Sequence, residues 1–347
     1  MRRIIGILTV MTMISLLSWG QAINPKPVLR FNENGKFKIV QFTDVHYQYK
    51  SYRSDSALVL MKKVIEKEKP DLVVLTGDIV CSMNTPLAWL DLSKVMIDAK
   101  VPWAITLGNH DAEFKYATTK DEIMNTIAGL PYNLTERGPK NISGEGNYIL
   151  EVISSKSNNI SALLYLFDSH MYPKTKSLGS YDWIKFDQVA WYREQSNVYT
   201  RRNDHNPLPA LAFFHIPLPE YNDIIGKSTT VGIQKESVCS PDLNSGMFTA
   251  MLECMDIMGM FVGHDHNNNY IGCLHNICMA YGKTTGRQCY GDIGRGARVI
   301  ELYEGERKFD TWILKLYECD RDKDIWTATN DFEKKFFVTY PDSFIEK

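Results

Sequence analysis

Apolar and polar positions switch between two periods along this chain, and the switches mark its elements. Residues 38–42 form a short β-like run ending on Thr43-Asp44, and residues 56–69 then carry Leu58, Leu60, Met61, Val64 and Ile65 at helical spacing until Pro70 stops the helix. Residues 71–76 are a continuous apolar strand closing on Gly77-Asp78, so residues 38–78 have the length of one parallel strand, helix, strand crossover. The pattern repeats: residues 86–99 are amphipathic, and residues 101–107 are a strand that delivers Gly108-Asn109-His110-Asp111.

Further on, residues 148–153 and 162–167 read as strands joined in a hairpin across the polar turn 154–159. Residues 186–201 are helical, residues 210–214 are the strand presenting His215, and a helix over 245–255 leads to the strand 260–262 and Gly263-His264-Asp265-His266. Residues 271–279, 298–303 and 311–317 read as antiparallel closing strands. The polar, Gly-rich stretches 137–147 and 226–245 are loops long enough to rim a pocket. There is no internal repeat and no low-complexity segment.

Composition sharpens this picture in three ways. Hydrophobic residues at 44% and charged residues at 23% are ordinary globular values, which argue against disorder and against a multi-span membrane protein. A formal net charge of −2 offers no basic field for nucleic acid. Residues 1–22 differ from the rest: Arg2 and Arg3 precede an apolar run too short to span a bilayer, and Gly20-Gln21-Ala22 supplies the small residues a signal peptidase prefers. The expectation is a cleaved signal peptide over 1–22, one domain over 23–347, a periplasmic or secreted location, and no membrane association after cleavage.

Export bears on the seven cysteines, because an oxidising compartment permits disulfides. Cys239, Cys254, Cys273, Cys278 and Cys289 crowd into one stretch where one or two bridges fit, while Cys81 and Cys254 read as small buried hydrophobes. No C-x-x-C motif signals a zinc ribbon. The sequons at Asn133, Asn141 and Asn159 are glycan acceptors only in a eukaryotic host and carry little weight.

Five polar blocks, Asp44-Val45-His46, Gly77-Asp78, Gly108-Asn109-His110-Asp111, His215 and Gly263-His264-Asp265-His266, carry the chemistry. Nearly every one follows an apolar, β-favouring run, which places it at the carboxyl end of a buried strand, where open α/β sheets hold their sites. Two ions about 3.5–4 Å apart need a bridging carboxylate plus His, Asn and Asp for the remaining positions, and this chain supplies such a set. In an extended segment residues two apart point the same way, so Asp44 with His46, and His264 with His266, are expected to face one cavity.

The ordered set resembles the calcineurin-like metallophosphoesterase family, and within it the exported branch related to purple acid phosphatases. The resemblance runs from about Phe37 to about Tyr303 and includes His215-Ile216-Pro217-Leu218-Pro219-Glu220 and Asn244-Ser245-Gly246. It implies a four-layer α/β/β/α sandwich of two mixed sheets with the metals at the sheets' carboxyl edge. Carried over residue by residue, it makes Asp44, His46 and His266 ligands of a first metal and Asp78 a bridge, with Asn109, His215 and His264 completing the second site. His110 would donate a proton to the leaving group, and Asp111 or another carboxylate would hold its imidazole in the right tautomer.

The family's purple members take a Tyr ligand three residues after the bridging Asp and lack a histidine at the place of His46; here the tyrosine's position is Cys81. The resemblance therefore implies a site without tyrosinate ligation, nearly colourless, open to Zn²⁺, Mn²⁺ or Fe. Tyr47 is the one phenol expected nearby, facing away. Asp265 is expected to turn from the metals, His205 and His275 to be solvated or structural, and His170 is a weaker pocket candidate. Lys283, Arg287 and Arg295 read as solvated surface charge. The expected reaction is hydrolysis of a small phosphomonoester by two metal ions, with phosphodiester hydrolysis, or a catalytically silent metal-binding protein of the same fold, as alternatives.

Overall fold

The computed structural model describes residues 26–320 and 325–339, with side chains up to residue 316; the expected leader at 1–22 lies outside the described residues. A short strand β1 (Leu29–Arg30) precedes β2 (Lys36–Phe42), α1 (Tyr52–Glu68), β3 (Leu72–Thr76), α2 (Thr85–Ala99) and β4 (Trp103–Thr106). Then come α3 (Lys120–Ile127), β5 (Tyr148–Ile153), β6 (Ile160–Leu166), α4 (Phe186–Arg202), β7 (Ala210–Phe213), α5 (Met247–Cys254) and β8 (Ile257–Val262). The chain ends on β9 (Ile271–Leu274), β10 (Ile277–Tyr281), β11 (Arg295–Tyr303), β12 (Phe309–Asp320) and β13 (Ile325–Thr339).

Two mixed sheets result. One runs β1-β5-β6-β7-β8-β10-β9 and the other β13-β12-β11-β2-β3-β4. Within them β2, β3 and β4 are mutually parallel, as are β6, β7 and β8. Parallel neighbours bring their carboxyl ends to one edge, so the segments after β2, β3, β4, β7 and β8 meet there.

Period-2 alternation builds the layers. Ile39 and Val74 from one sheet and Leu164, Leu211 and Phe261 from the other share a core between the sheets. Their chain neighbours Val40, Val73, Leu75 and Ile105 face outward onto α1, α2 and α3 through Leu60, Met61, Trp89 and Ile123. Tyr165, Ala212, Met260 and Val262 do the same beneath α4 and α5. Helix, sheet, sheet, helix is therefore the layer order, as the resemblance implied. Burying a side chain such as Leu60 contributes about 1.5–3 kcal/mol.

Three local expectations are corrected. Residues 271–279 are two strands: His275 and Asn276 both take left-handed backbone (φ 47° and 64°), the geometry of a tight hairpin turn, and Cys273 and Cys278, paired across it, form a disulfide. Strand β10 then runs parallel to β8 instead of closing the sheet in antiparallel fashion. Helix α3 was missed for its brevity, although Thr119 and Glu122 form a capping box at its start.

Candidate metal centre

The polar blocks leave their strands through strained backbone. Asp44, His46, Asp78 and His264 have φ of 51°, 46°, 51° and 79°, a left-handed conformation that costs about 1–3 kcal/mol per non-glycine residue and clusters at functional sites. The segments are thus tight turns, and the expected extended geometry for Asp44-His46 and His264-His266 is overturned: the side chains converge by turning, not by alternation. Glycines make room for this. A Cβ on Gly108 would lie 2.3 Å from Asp78 Oδ1, and one on Gly263 would lie 2.9 Å from Asp44 Oδ2.

What converges is two overlapping groups of donor atoms. Asp44, His46, Asp78 and His266 each offer one atom within 4.8 Å of the others, and so do Asp78, His215 and His264. Asp78 belongs to both. Its Oδ2 lies 3.2 Å from His215 Nε2 and 3.6 Å from His46 Nε2, while Asp44 Oδ1 lies 3.2 Å from His266 Nε2. Asn109 joins from β4 with its Nδ2 donating to Tyr172 Oη at 3.0 Å.

The tautomers favour a cation. His215 Nδ1 donates to Thr76 O at 2.9 Å and His266 Nδ1 to Tyr290 O at 3.1 Å, while His46 Nδ1 is 3.3 Å from Cys81 Sγ. Each contact turns Nε2 inward, the outer-sphere arrangement typical of metal-binding imidazoles. Among the described residues, buried His46 Nε2, His215 Nε2, His264 Nε2 and Asn109 Oδ1 find no well-formed hydrogen bond, and four such atoms around two carboxylates are the ligand set a pair of divalent ions satisfies.

Electrostatics follow from burial. Burial works to raise the Asp44 carboxyl, yet the His266 imidazole beside it holds it at about 2. Asp78 is likewise pressed up by burial and held well below the usual carboxylate range by His215 and His46. Burial drives His46 and His264 down to about 3, whereas Asp78 overrides burial at His215 and lifts it to about 9. Against burial, acidic neighbours favour the protonated rings, Asp78 at His215 and Cys289 with Asp44 at His266, and a cation bound there would answer the same charge in place of those protons.

His110 stands at the mouth, half-exposed, with Nε2 4.0 Å from Asp78 Oδ2 and Nδ1 2.9 Å from Glu113 Oε1. Asp111 does not hold it, which corrects the first expectation for that residue. Asp111 Oδ1 accepts from Ile79 N and Val80 N, and Oδ2 from Gly108 N, so this buried carboxylate ties the turn after β3 to the turn after β4. Glu113, three residues after His110, is the partner the sequence could have offered.

The walls hold further surprises. Tyr47 does face away, onto Asp91, but Tyr172 reaches Asn109, Tyr181 packs edge-on against His264 at 4.4 Å, and Tyr290 stacks on His266 at 4.1 Å. Cys81 is buried as expected, and it also lines the pocket with its Sγ 3.3 Å from His46 Nδ1. The loop 226–245 contributes Cys239 to the rim, whereas 137–147 packs elsewhere and the segment carrying Tyr172 and Tyr181 takes its place. Lys283 and Arg295 are fully buried on backbone carbonyls, contrary to their reading as solvated charge. Arg287 is partly exposed. His205 and His275 are exposed, His170 bonds Gln188 at 2.7 Å, and Asp265 turns to Tyr281 and the Cys239 amide as expected. Asn133 is buried with its amide on Ile127 O, which argues against that sequon.

Residues 37–268 match the family described as calcineurin-like phosphoesterase. The chain is 35% identical over 317 residues to "Probable inactive purple acid phosphatase 29" of Arabidopsis thaliana, covering 82% of this chain and 81% of that one. It is 32% identical to "Probable inactive purple acid phosphatase 14" of the same plant, over 89% and 88% of the two chains. A dimetal phosphatase from Danio rerio superposes with a TM-score of 0.56 at 12% identity, covering 88% of this chain and 99% of that one. The chain belongs to the calcineurin-like phosphoesterase family, and this membership supports a phosphate-ester hydrolase.

Proposed function

We propose that the protein is an exported phosphomonoesterase with two cations, Zn²⁺, Mn²⁺ or Fe: one held by Asp44, His46, Asp78 and His266, the other by Asp78, Asn109, His215 and His264. The membership of Asp78 in both donor groups carries this reading. Bound there, the ions would supply hydroxide from water near neutral pH and neutralise charge on the phosphoryl oxygens.

The chain's own residues do the rest. With both ring nitrogens protonated, His110 directs its Nε2–H into the pocket and gives that proton to the leaving oxygen, while Glu113 accepts from Nδ1–H and holds the ring. Glu113 also accepts from Tyr172 Oη at 3.1 Å, and Tyr172 in turn accepts from Asn109 Nδ2. One chain of hydrogen bonds thus sets both the acid and the Asn109 oxygen that faces the ions. The cavity, about 350 Å³ with Tyr116, Tyr181 and Tyr290 in its wall, suits a small phosphorylated molecule. The net charge of −2 supports no nucleic-acid substrate.

A leader over 1–22 and one domain over 23–347 belong to the same proposal; among the described residues no helix is long and apolar enough to cross a membrane. The test is turnover of p-nitrophenyl phosphate and its bis ester by Zn²⁺- or Mn²⁺-loaded protein. Preference for the monoester supports the reading, preference for the bis ester makes the protein a phosphodiesterase, and no turnover by protein carrying two ions makes it a silent binder.

A further inference from the structure

We propose that Cys289 supplies a sulfur donor to the cation held by Asp44, His46 and His266, giving that half of the centre a mixed nitrogen, oxygen and sulfur ligand set that selects Zn²⁺ over Mn²⁺. The inference rests on the dinuclear reading above and adds a ligand to it.

Cys289 does not stand alone. One donor atom from each of Cys289, His46 and His266 lies within 4.8 Å of the others, and the same two histidines share a second such group with Asp44 and Asp78. Among the described residues, buried His46 Nε2 has no hydrogen-bond partner. The thiol's backbone contacts are weak, 3.4 Å to Gly286 O and 3.6 Å to Asp44 O, and its side-chain partner is His266, the imidazole that would share the cation with it. Cys81 plays another part: it touches His46 at Nδ1, the ring nitrogen turned away from Asp78.

The loop that carries Cys289 is built onto the ligand segment. Thr285 N donates to Thr43 O at 2.9 Å and Gly286 N to Asp44 O at 3.1 Å. A Cβ at Gly286 would lie 1.8 Å from Val45 O, so the backbones touch. On the other side, fully buried Arg295 donates to the carbonyls of Cys289, Tyr290 and Gly291 at 3.1, 3.0 and 3.3 Å, and also to Gly286 O. With Gly294 O as a fifth acceptor, the buried guanidinium clasps the loop from 286 to 294 and fixes the sulfur beside His266. Thiolate suits borderline ions such as Zn²⁺, while Mn²⁺ prefers oxygen. On binding, the cation takes the sulfur lone pair and the thiol proton leaves to solvent.

The experiment titrates purified protein, kept reduced, with Co²⁺ as the probe, reading thiolate-to-cobalt charge-transfer absorption in the near ultraviolet and the bound Co²⁺ by elemental analysis. The native protein and Cys81→Ser are expected to show the band, and Cys289→Ser and Cys289→Ala to lose it. The preference for Zn²⁺ over Mn²⁺ should fall in both Cys289 variants by at least the ~10- to 100-fold that loss of an outer-sphere partner costs. Two bound Co²⁺ without the band in native protein, or a band that survives Cys289→Ser, overturns the sulfur ligand and leaves the dinuclear reading standing. No bound Co²⁺ overturns the dinuclear reading and this one with it.

Discussion

His110 Nδ1 and Glu113 Oε1 stand 2.9 Å apart, one turn of chain beyond β4, and the same carboxylate holds Lys115 through its other oxygen at 2.6 Å. Burial tends to raise Glu113, but Lys115 and His110 keep it below the usual range, so it remains an anion at the pocket mouth. A fixed anion behind the ring accepts from Nδ1–H, so that when both nitrogens carry protons the Nε2–H points at the substrate. Glu113→Gln keeps the shape and removes the charge. It should lower kcat about 10-fold or more while metal content and KM stay near the parent values, because the acid step draws on a correctly held proton donor. Steady-state kinetics with elemental analysis checks this.

His110→Ala should keep both ions and lose roughly 10²–10⁴ in rate, the range for a general acid. The loss should grow as the leaving group becomes poorer, since a nitrophenolate departs without a proton and an alkoxide does not. Equal losses on aryl and alkyl phosphates would remove the role.

Asp78→Asn should abolish turnover and lower metal content at both positions, because one carboxylate serves both donor groups. Far-ultraviolet circular dichroism should stay near native, since Asp78 stands at a strand end, outside the three apolar cores. Retained activity would refute the bridge.

Most of this centre was legible because it sits on regular structure. Asp44, Asp78, Asn109, His215 and His264 each follow a strand whose apolar run marks its end, and parallel pairing then brings those ends together. Tyr172, Tyr181 and Tyr290 were missed because irregular loops carry them, and such loops have no period to read. Lys283 and Arg295 were misjudged for a different reason. A cation among backbone carbonyls looks, in sequence, like any surface charge, and only the fold reveals the carbonyl cage.

Asp111 should prove a positioning residue, separable from His110. Its two oxygens accept three buried amides, from Ile79, Val80 and Gly108, and an unsatisfied buried amide costs about 1–3 kcal/mol. Asp111→Ala should therefore lower the melting temperature and weaken metal retention by loosening Asp78 against Asn109. The residual activity should show the parent's dependence on the leaving group; a changed dependence would mean that Asp111 acts on His110 after all.

A last prediction concerns pH and a carboxylate remote from the ions. Buried Asp168 accepts from Lys120 Nζ at 2.6 and 2.9 Å and from the amides of Glu145 and His170, which moors α3 and the segment leading to Tyr172. Burial pushes its pKa up, but Lys120 and His170 prevail and hold it below the ordinary 3.8. Because the folded value lies below the unfolded one, the ionised form is favoured in the fold. The stabilisation is complete above about pH 4 and is lost as pH falls through the folded value. Lys120→Met removes the cation and keeps the stem. At pH 7 it should destabilise by about 3 kcal/mol, the low end for breaking a buried pair, because the two amides remain. As pH falls below the ordinary value of 3.8 and on through the lowered folded value, the carboxyl takes a proton and the gap should shrink. Urea melts of the two proteins at pH 7 and pH 3 measure the difference, and an equal gap at both values would show that Lys120 stabilises by packing and not by charge.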